Sequence, residues 1–290
     1  MENEKTTEEI IELINQQQTI LSEHTRATEG HWRAMIRRME NFRISTSGEK
    51  VGCHDEEIWT FLTSVAFASG GQSGNSDLFK ALTESTEPNV ESRQWLESLP
   101  LPPRNGEGNT NLDLAMGSIQ TRGTTSNGIE YDGSKRPIVF CEMKWFSDLS
   151  YGVTGDPHRN QLIRVIENAV TFQSSEGHPD NVHVTLVTPR EFKNREQASR
   201  FYHTKFYEYS NPSTGAEMML SELSSCRLGA YSKNQGWCYP EASDLEERIQ
   251  KLSLHWVTFE DLISSTPESE LAMLVRDFEA TYNHSGGNVE

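Results

Sequence analysis

No apolar run in the 290-residue sequence approaches the roughly 18 residues needed to cross a bilayer, so no membrane-spanning helix is expected. The first thirty residues are polar and acidic and do not read as a secretory signal, which places the expected site of action in the cytoplasm. Cysteine is sparse. Cys53, Cys141, Cys226 and Cys238 form no tight CxxC pair, and no histidine stands at a zinc-site spacing, so reduced thiols are expected rather than a disulfide framework or a zinc module. Neither a helix-turn-helix nor a zinc finger announces a separate recognition module, and there is no internal repeat or convincing linker.

Basic residues are also scarce: 26 Lys and Arg stand against 43 Asp and Glu, a formal charge of -17. Taken as a bulk figure this argues against a polyanionic partner. The excess is concentrated at the ends, however. Residues 1–30 carry 7 acids and 2 bases, residues 241–290 carry 11 and 3, and the 210 residues between them carry 25 and 21. A near-neutral middle can still present a basic cleft.

Hydrophobic periodicity then gives an order of elements. Helical spacing predicts a helix over 6–25, a second through HWRAMIRRMENF and a third over 55–68 with acids in its first turn. In the second, Arg33, Arg37 and Arg38 fall largely off the apolar stripe, as either a solvated or a phosphate-contacting face. Short helical stretches follow around Leu78 to Leu82 and Val90 to Leu99. The period then changes to two. NLDLAMGSI (111–119), IEYDG and RPIVFCEMKWF read as strands, 157–172 as a helix with a wide apolar face, and NVHVTLVTP (181–189) as another strand. Residues 190–208 read as a helix that packs on the sheet or grips a backbone, and the last fifty residues as acidic helical cladding with a frayed end.

The strand IVFCEMKWF raises the chemical question. Residues i and i+2 share a face, so Phe140, Glu142 and Lys144 point one way and Cys141, Met143 and Trp145 the other. Two charges interrupt a segment that is otherwise fit for the core, where unpaired charge is costly. If NLDLAMG pairs with it, Asp113 can join Glu142 and Lys144 on one face. Two carboxylates suit a hard divalent cation such as Mg²⁺, and the cation neutralises charge that builds on a phosphoryl group. A lysine beside them offsets their repulsion and stabilises a developing anion.

These residues and their order resemble the PD-(D/E)xK nuclease superfamily over roughly residues 55–189. The resemblance implies an α/β, restriction-endonuclease-like core, with a central mixed β-sheet flanked by helices plus N- and C-terminal helical additions. It divides the chain into a helical extension at 1–54, the nuclease-like core at 55–189 and a C-terminal helical region at 190–290. It puts the metal-binding aspartate on Asp113, with Asp132 or Asp148 as competitors, and the Glu-x-Lys element on Glu142, Met143 and Lys144. Leu112 stands where the family's name has proline. Gln161, or next Asn160, matches the polar residue of the following helix. Glu57, with Glu56 behind it, matches the glutamate that some members add from the first core helix. His158 is either a surface residue or a phosphate or proton contact.

The implied activity is Mg²⁺-dependent hydrolysis of DNA phosphodiester bonds, with Mn²⁺ as a substitute, by an endonuclease of restriction or defence type. The implied partners are DNA, a second copy in a homodimer, and a partner protein or activator. The alternatives are an inactive nuclease-like component that binds DNA or protein, and a metal-dependent RNase.

Overall fold

The computed structural model describes residues 2–40, 43–44, 50–51, 55–85, 92–100, 110–123, 126–149, 159–194, 200–225 and 238–283. The N-terminal helices are α1 (Glu2–Gln16), α2 (Gln18–His24), α3 (Glu29–Glu40), α4 (Glu56–Ala68) and α5 (Gly71–Thr83). The strands are β1 (Thr25–Arg26), β2 (Arg43–Ile44), β3 (Lys50–Val51), β4 (Gln94–Ser98), β5 (Leu112–Gly117), β6 (Ile119–Thr121), β7 (Ile129–Tyr131), β8 (Ile138–Met143), β9 (Val182–Thr188) and β10 (Ser253–Thr258). The later helices are α6 (Gln161–Thr171), α7 (Arg190–Asn194), α8 (Phe201–Tyr209), α9 (Gly215–Ser224), α10 (Ala242–Lys251), α11 (Phe259–Ser264) and α12 (Glu270–Asn283). No helix among the described residues is long and apolar enough to cross a membrane.

Six strands form one mixed sheet in the order β1-β4-β5-β8-β9-β10. β4, β5 and β8 run antiparallel to one another, whereas β8, β9 and β10 are parallel, as β1 is to β4. Every side chain of β8 is buried, because both of its faces are covered and it lies inside the sheet. Val139, Cys141, Met143 and Trp145 join a core with α1, α3, α4, α11 and α12 on one side. Ile138 and Phe140 join a second core with α6, α8, α9 and α10 on the other. The fold is therefore mixed α/β with a central sheet flanked by helices. Trp145 continues the line of β8 and stacks on Trp59 of α4, ring centroids 4.1 Å apart and 14° from parallel, which ties the end of β8 to the start of that helix.

Three segments differ from the periodicity. The stretch around Val90 to Leu99, expected as helix, contains β4 instead, because Trp95 and Leu96 are drawn to the two opposite cores of the sheet. The Gly- and Ser-rich stretch before Leu78, outside the helix expected around Leu78 to Leu82, is the first half of α5. There Gly74 comes so close to α4 that an added Cβ would lie 2.0 Å from the Phe67 carbonyl oxygen. The last fifty residues, expected as acidic helical cladding with a frayed end, supply β10, whose SLHWVT carries neither acid nor base other than histidine and pairs residue for residue with β9. The helix expected from 157 is described from Gln161, capped by Asn160, and Pro157 lies outside the described residues.

Candidate active site

The carboxyl end of β8, the start of β5 and the amino end of α4 converge. Asp55 caps α4 by accepting from the Ile58 amide at 3.4 Å, which places Glu56 and Glu57 in its first turn, where the helix dipole favours acids. The β5/β8 ladder reaches Leu114 opposite Cys141. Beyond that pair the Met143 amide donates to the Asp113 carboxylate at 2.6 Å, so a side chain takes over from the backbone as acceptor. Asp113, Glu142 and Lys144 thus meet as expected from alternation. Glu142 and Lys144 are both 4% exposed. The Lys144 ammonium lies 2.9 Å from Glu142 Oε1 and donates to Glu56 Oε1 at 2.7 Å. Ser147 donates to the other oxygen of Glu56.

Burial pushes the Asp113 carboxyl well above the usual range, and the Glu142 charge adds to that, against opposition from Lys144 and the Met143 amide. Burial likewise raises Glu142, partly offset by Lys144 and by the more distant Arg164. For Lys144 burial works against the charged form, but Glu142, Asp113 and Glu56 outweigh it and hold its proton more tightly than in water. The chemical content is a buried ammonium in a field of carboxylates.

The glutamate from α4 that touches this group is Glu56, the second choice on sequence. Glu57 turns to Arg38, which donates to it at 2.6 Å and to Asp55 at 3.3 Å. Gln161 is the first residue of α6 and half-buried. Asn160 is engaged elsewhere: it accepts from the Ile163 amide at 3.0 Å and donates to the Tyr209 hydroxyl at 2.8 Å. Asp132 serves the turn before β8, accepting from the Ser134 amide at 2.8 Å and pairing with Arg136 at 2.9 Å. Asp148 caps α8 through the Phe201 and Tyr202 amides at 2.6 and 3.1 Å. His158 lies outside the described residues.

Glu97 went unnoticed in the sequence because its segment was read as helix. It stands in β4 across from Asp113, with the left-handed φ of 47° that a non-glycine residue rarely adopts. Burial, Glu57, Glu142 and Glu56 push its carboxyl up to about 7, against a hydrogen bond that Asn111 donates to it at 3.4 Å. Arg164, three residues after Gln161 on α6, was also missed. It donates to the Thr110 hydroxyl just before β5 and places positive charge toward Glu142. Among the described residues, no group of three or more His, Cys, Asp or Glu side chains is arranged to hold a metal ion. The donors at hand are the Asp113 and Glu142 pair, with Glu56 committed to Lys144.

A scan of protein-family models, a search of curated proteins and a search of solved structures each return no match for this chain.

Proposed function

We propose that the chain is a metal-dependent deoxyribonuclease of the PD-(D/E)xK kind, cutting within DNA. The observation that carries this reading is Lys144, an ammonium at the end of a fully buried strand, held by Glu142 and Glu56 beside Asp113. Buried charges reduce stability relative to apolar residues of similar volume, so a charged group on this strand calls for a chemical reason. With α5 and the separate β6–β7 hairpin set aside as insertions, the order α4, β4, β5, β8, α6, β9 runs helix, three strands, helix, strand, which also supports a restriction-endonuclease-like core.

Asp113 and Glu142 fit a hard divalent cation. Their oxygen donors match it, and a bound cation would offset the burial that raises both proton affinities, to which the Glu142 charge adds at Asp113. Bound there, Mg²⁺ or Mn²⁺ would acidify a water and neutralise charge on the phosphoryl oxygens. Lys144 orients the attacking water and presents its ammonium to the charge that develops on the phosphate. Glu56 and Ser147 hold Lys144 in place for that role. Gln161, at the amino end of α6, orients water or phosphate. In-line attack leaves a 3'-hydroxyl and a 5'-phosphate. Restriction-type cutting of both strands further requires two copies related by a two-fold axis.

The test is cleavage of circular and linear duplex DNA, single-stranded DNA and RNA with Mg²⁺, Mn²⁺ or EDTA. Metal-dependent products that vanish in Glu142→Ala and Lys144→Ala support the reading, and products from RNA alone redirect it to a ribonuclease. Products that persist undiminished in both variants refute the assignment. The formal charge of -17, with its acidic ends, favours the second reading, a nuclease-like component that binds DNA or a partner protein without cutting. DNA binding without cleavage in any metal would select it.

A further inference from the structure

Strand β4 leads from a cluster of arginines to Glu97 and the acidic site. At its beginning, Arg93 and Arg136 line an open cleft of about 280 Å³ with His24, Ser92 and Trp95. Trp95 also walls a second, smaller cleft of about 30 Å³ that it shares with Arg26, Thr28, Ser98 and Asn127. The Arg26 guanidinium sits 5.1 Å from the centre of the Trp95 ring, a cation–π contact that fixes it over the strand. Arg93 is anchored by donating from Nε to the Glu23 carbonyl at 2.9 Å. Arg136 is anchored by donating to Asp132 at 2.9 Å and to the Ser134 hydroxyl at 2.8 Å. Asp132 is the carboxylate that Arg136 meets on this surface, whereas Arg93 meets Glu23 through its backbone carbonyl.

Among the described residues, β1 and the β6–β7 hairpin cover this edge of the sheet only in part. β1 covers β4 at only two positions, Gln94 and Trp95. The β6–β7 hairpin reaches β4 through Asn127, whose side chain donates to the Glu97 carbonyl at 3.0 Å, and meets its continuation through the bridge between Leu99 and Gly128. The smaller cleft lies between those two covers, beside Ser98 and one residue from Glu97. Glu97 lies four residue steps along the chain from Arg93, which at roughly 3.3 Å each is about 13 Å of strand. One strand of a duplex carries a phosphate about every 3.4 Å along the axis, so this span matches about four of them.

We infer that this edge is the track along which a nucleic-acid backbone lies on its way to the acidic site, with Arg26, Arg93 and Arg136 contacting successive phosphates. The inference rests on the nucleic-acid reading above and adds the surface that reading lacks. A chain with a formal charge of -17 repels a polyanion at long range, so it needs a locally positive surface to bring one to its carboxylates. The phosphate contacts carry affinity and orientation without base readout.

The test measures binding of a short DNA duplex and its single strand in Ca²⁺ across a salt series, alongside cleavage in Mg²⁺. It compares wild type with Arg26→Gln/Arg93→Gln/Arg136→Gln and with the charge-keeping Arg26→Lys/Arg93→Lys/Arg136→Lys. The glutamine triple should bind at least about tenfold more weakly at low salt, and its slope of log K against log[salt] should be shallower by about 2 to 3, near 0.9 per lost contact. The lysine triple should keep most of the slope. An unchanged affinity and slope in the glutamine triple overturns the track, as does an equal loss in both triples, which marks a packing role. Wild type that neither binds nor cuts any nucleic acid overturns the nuclease reading itself. Wild type that does either, with an unaffected glutamine triple, overturns only the track.

Discussion

Replacing Lys144 with methionine keeps most of the side chain's length and apolar stem but removes the ammonium from between Glu142 and Glu56. The two contacts are 2.9 and 2.7 Å long, and the Lys144 and Glu142 side chains are 4% and 5% exposed. At an effective dielectric of about 20, one such contact corresponds to roughly 6 kcal/mol of gross attraction. Desolvating the two charges offsets most of that, so the intact pair contributes little net stability. Removing one partner is different, because the desolvation of Glu142 remains without its compensation, at a cost of about 3–5 kcal/mol. The cost is capped by proton uptake, since Asp113 and Glu142 already hold protons more tightly than usual.

The expected loss in Lys144→Met is therefore about 3 kcal/mol at neutral pH in EDTA, the lower end of that range. It should shrink as pH is lowered, because burial favours the neutral form of Glu142, and in Glu142→Gln/Lys144→Met, where the Glu142 charge is removed as well. Urea unfolding followed by tryptophan fluorescence is suited to the measurement, because Trp145 follows Lys144 directly and stacks on Trp59. A loss below about 1 kcal/mol for the single variant, or a double variant worse than the single, would refute the argument that these charges are buried and mutually compensated.

Three further outcomes follow from the geometry. His183 donates to or accepts from His255 at 3.0 Å on adjacent strands β9 and β10, and burial, then His255, pushes its imidazole down from 6.5 to about 4. The folded chain therefore keeps His183 neutral while the unfolded chain takes up a proton, so stability falls as pH drops from about 6.5 toward 4. In His183→Asn, thermal midpoints measured across that window should fall less steeply. Asn160→Ala removes the α6 cap and the bond to Tyr209, and should lower stability in urea by about 1–3 kcal/mol. Gly74→Ala puts a Cβ 2.0 Å from the Phe67 carbonyl oxygen and forces α5 away from α4; a loss of about 1–3 kcal/mol is expected, and a neutral effect by thermal unfolding would contradict the close approach.

What could be read from the sequence was set by local periodicity. Glu142 and Lys144 were visible because a period of two places them on one face of an otherwise apolar run, and Asp113 because Leu112, Leu114 and Met116 alternate against it and Ala115; the Met143 amide then joins the two strands at Asp113. The choice between Glu56 and Glu57 could not be made from sequence, because both occupy the first turn of α4. It depends on where Arg38 arrives from α3 to engage Glu57, leaving Glu56 to Lys144. Glu97 lay further out of reach. Its position depends on a positive φ within β4, and the cause of its raised proton affinity is tertiary: burial and the carboxylates of Glu57, Glu142 and Glu56, which come from segments distant in sequence. The same holds for β1, a strand of two residues whose partner β4 lies about seventy residues away. A short strand has too few residues to declare a period, so its pairing is decided by the strand it meets. The residues carrying the proposed chemistry divide along that line, since the groups on long regular strands could be found from spacing and those supplied by helix starts and strand ends required the fold.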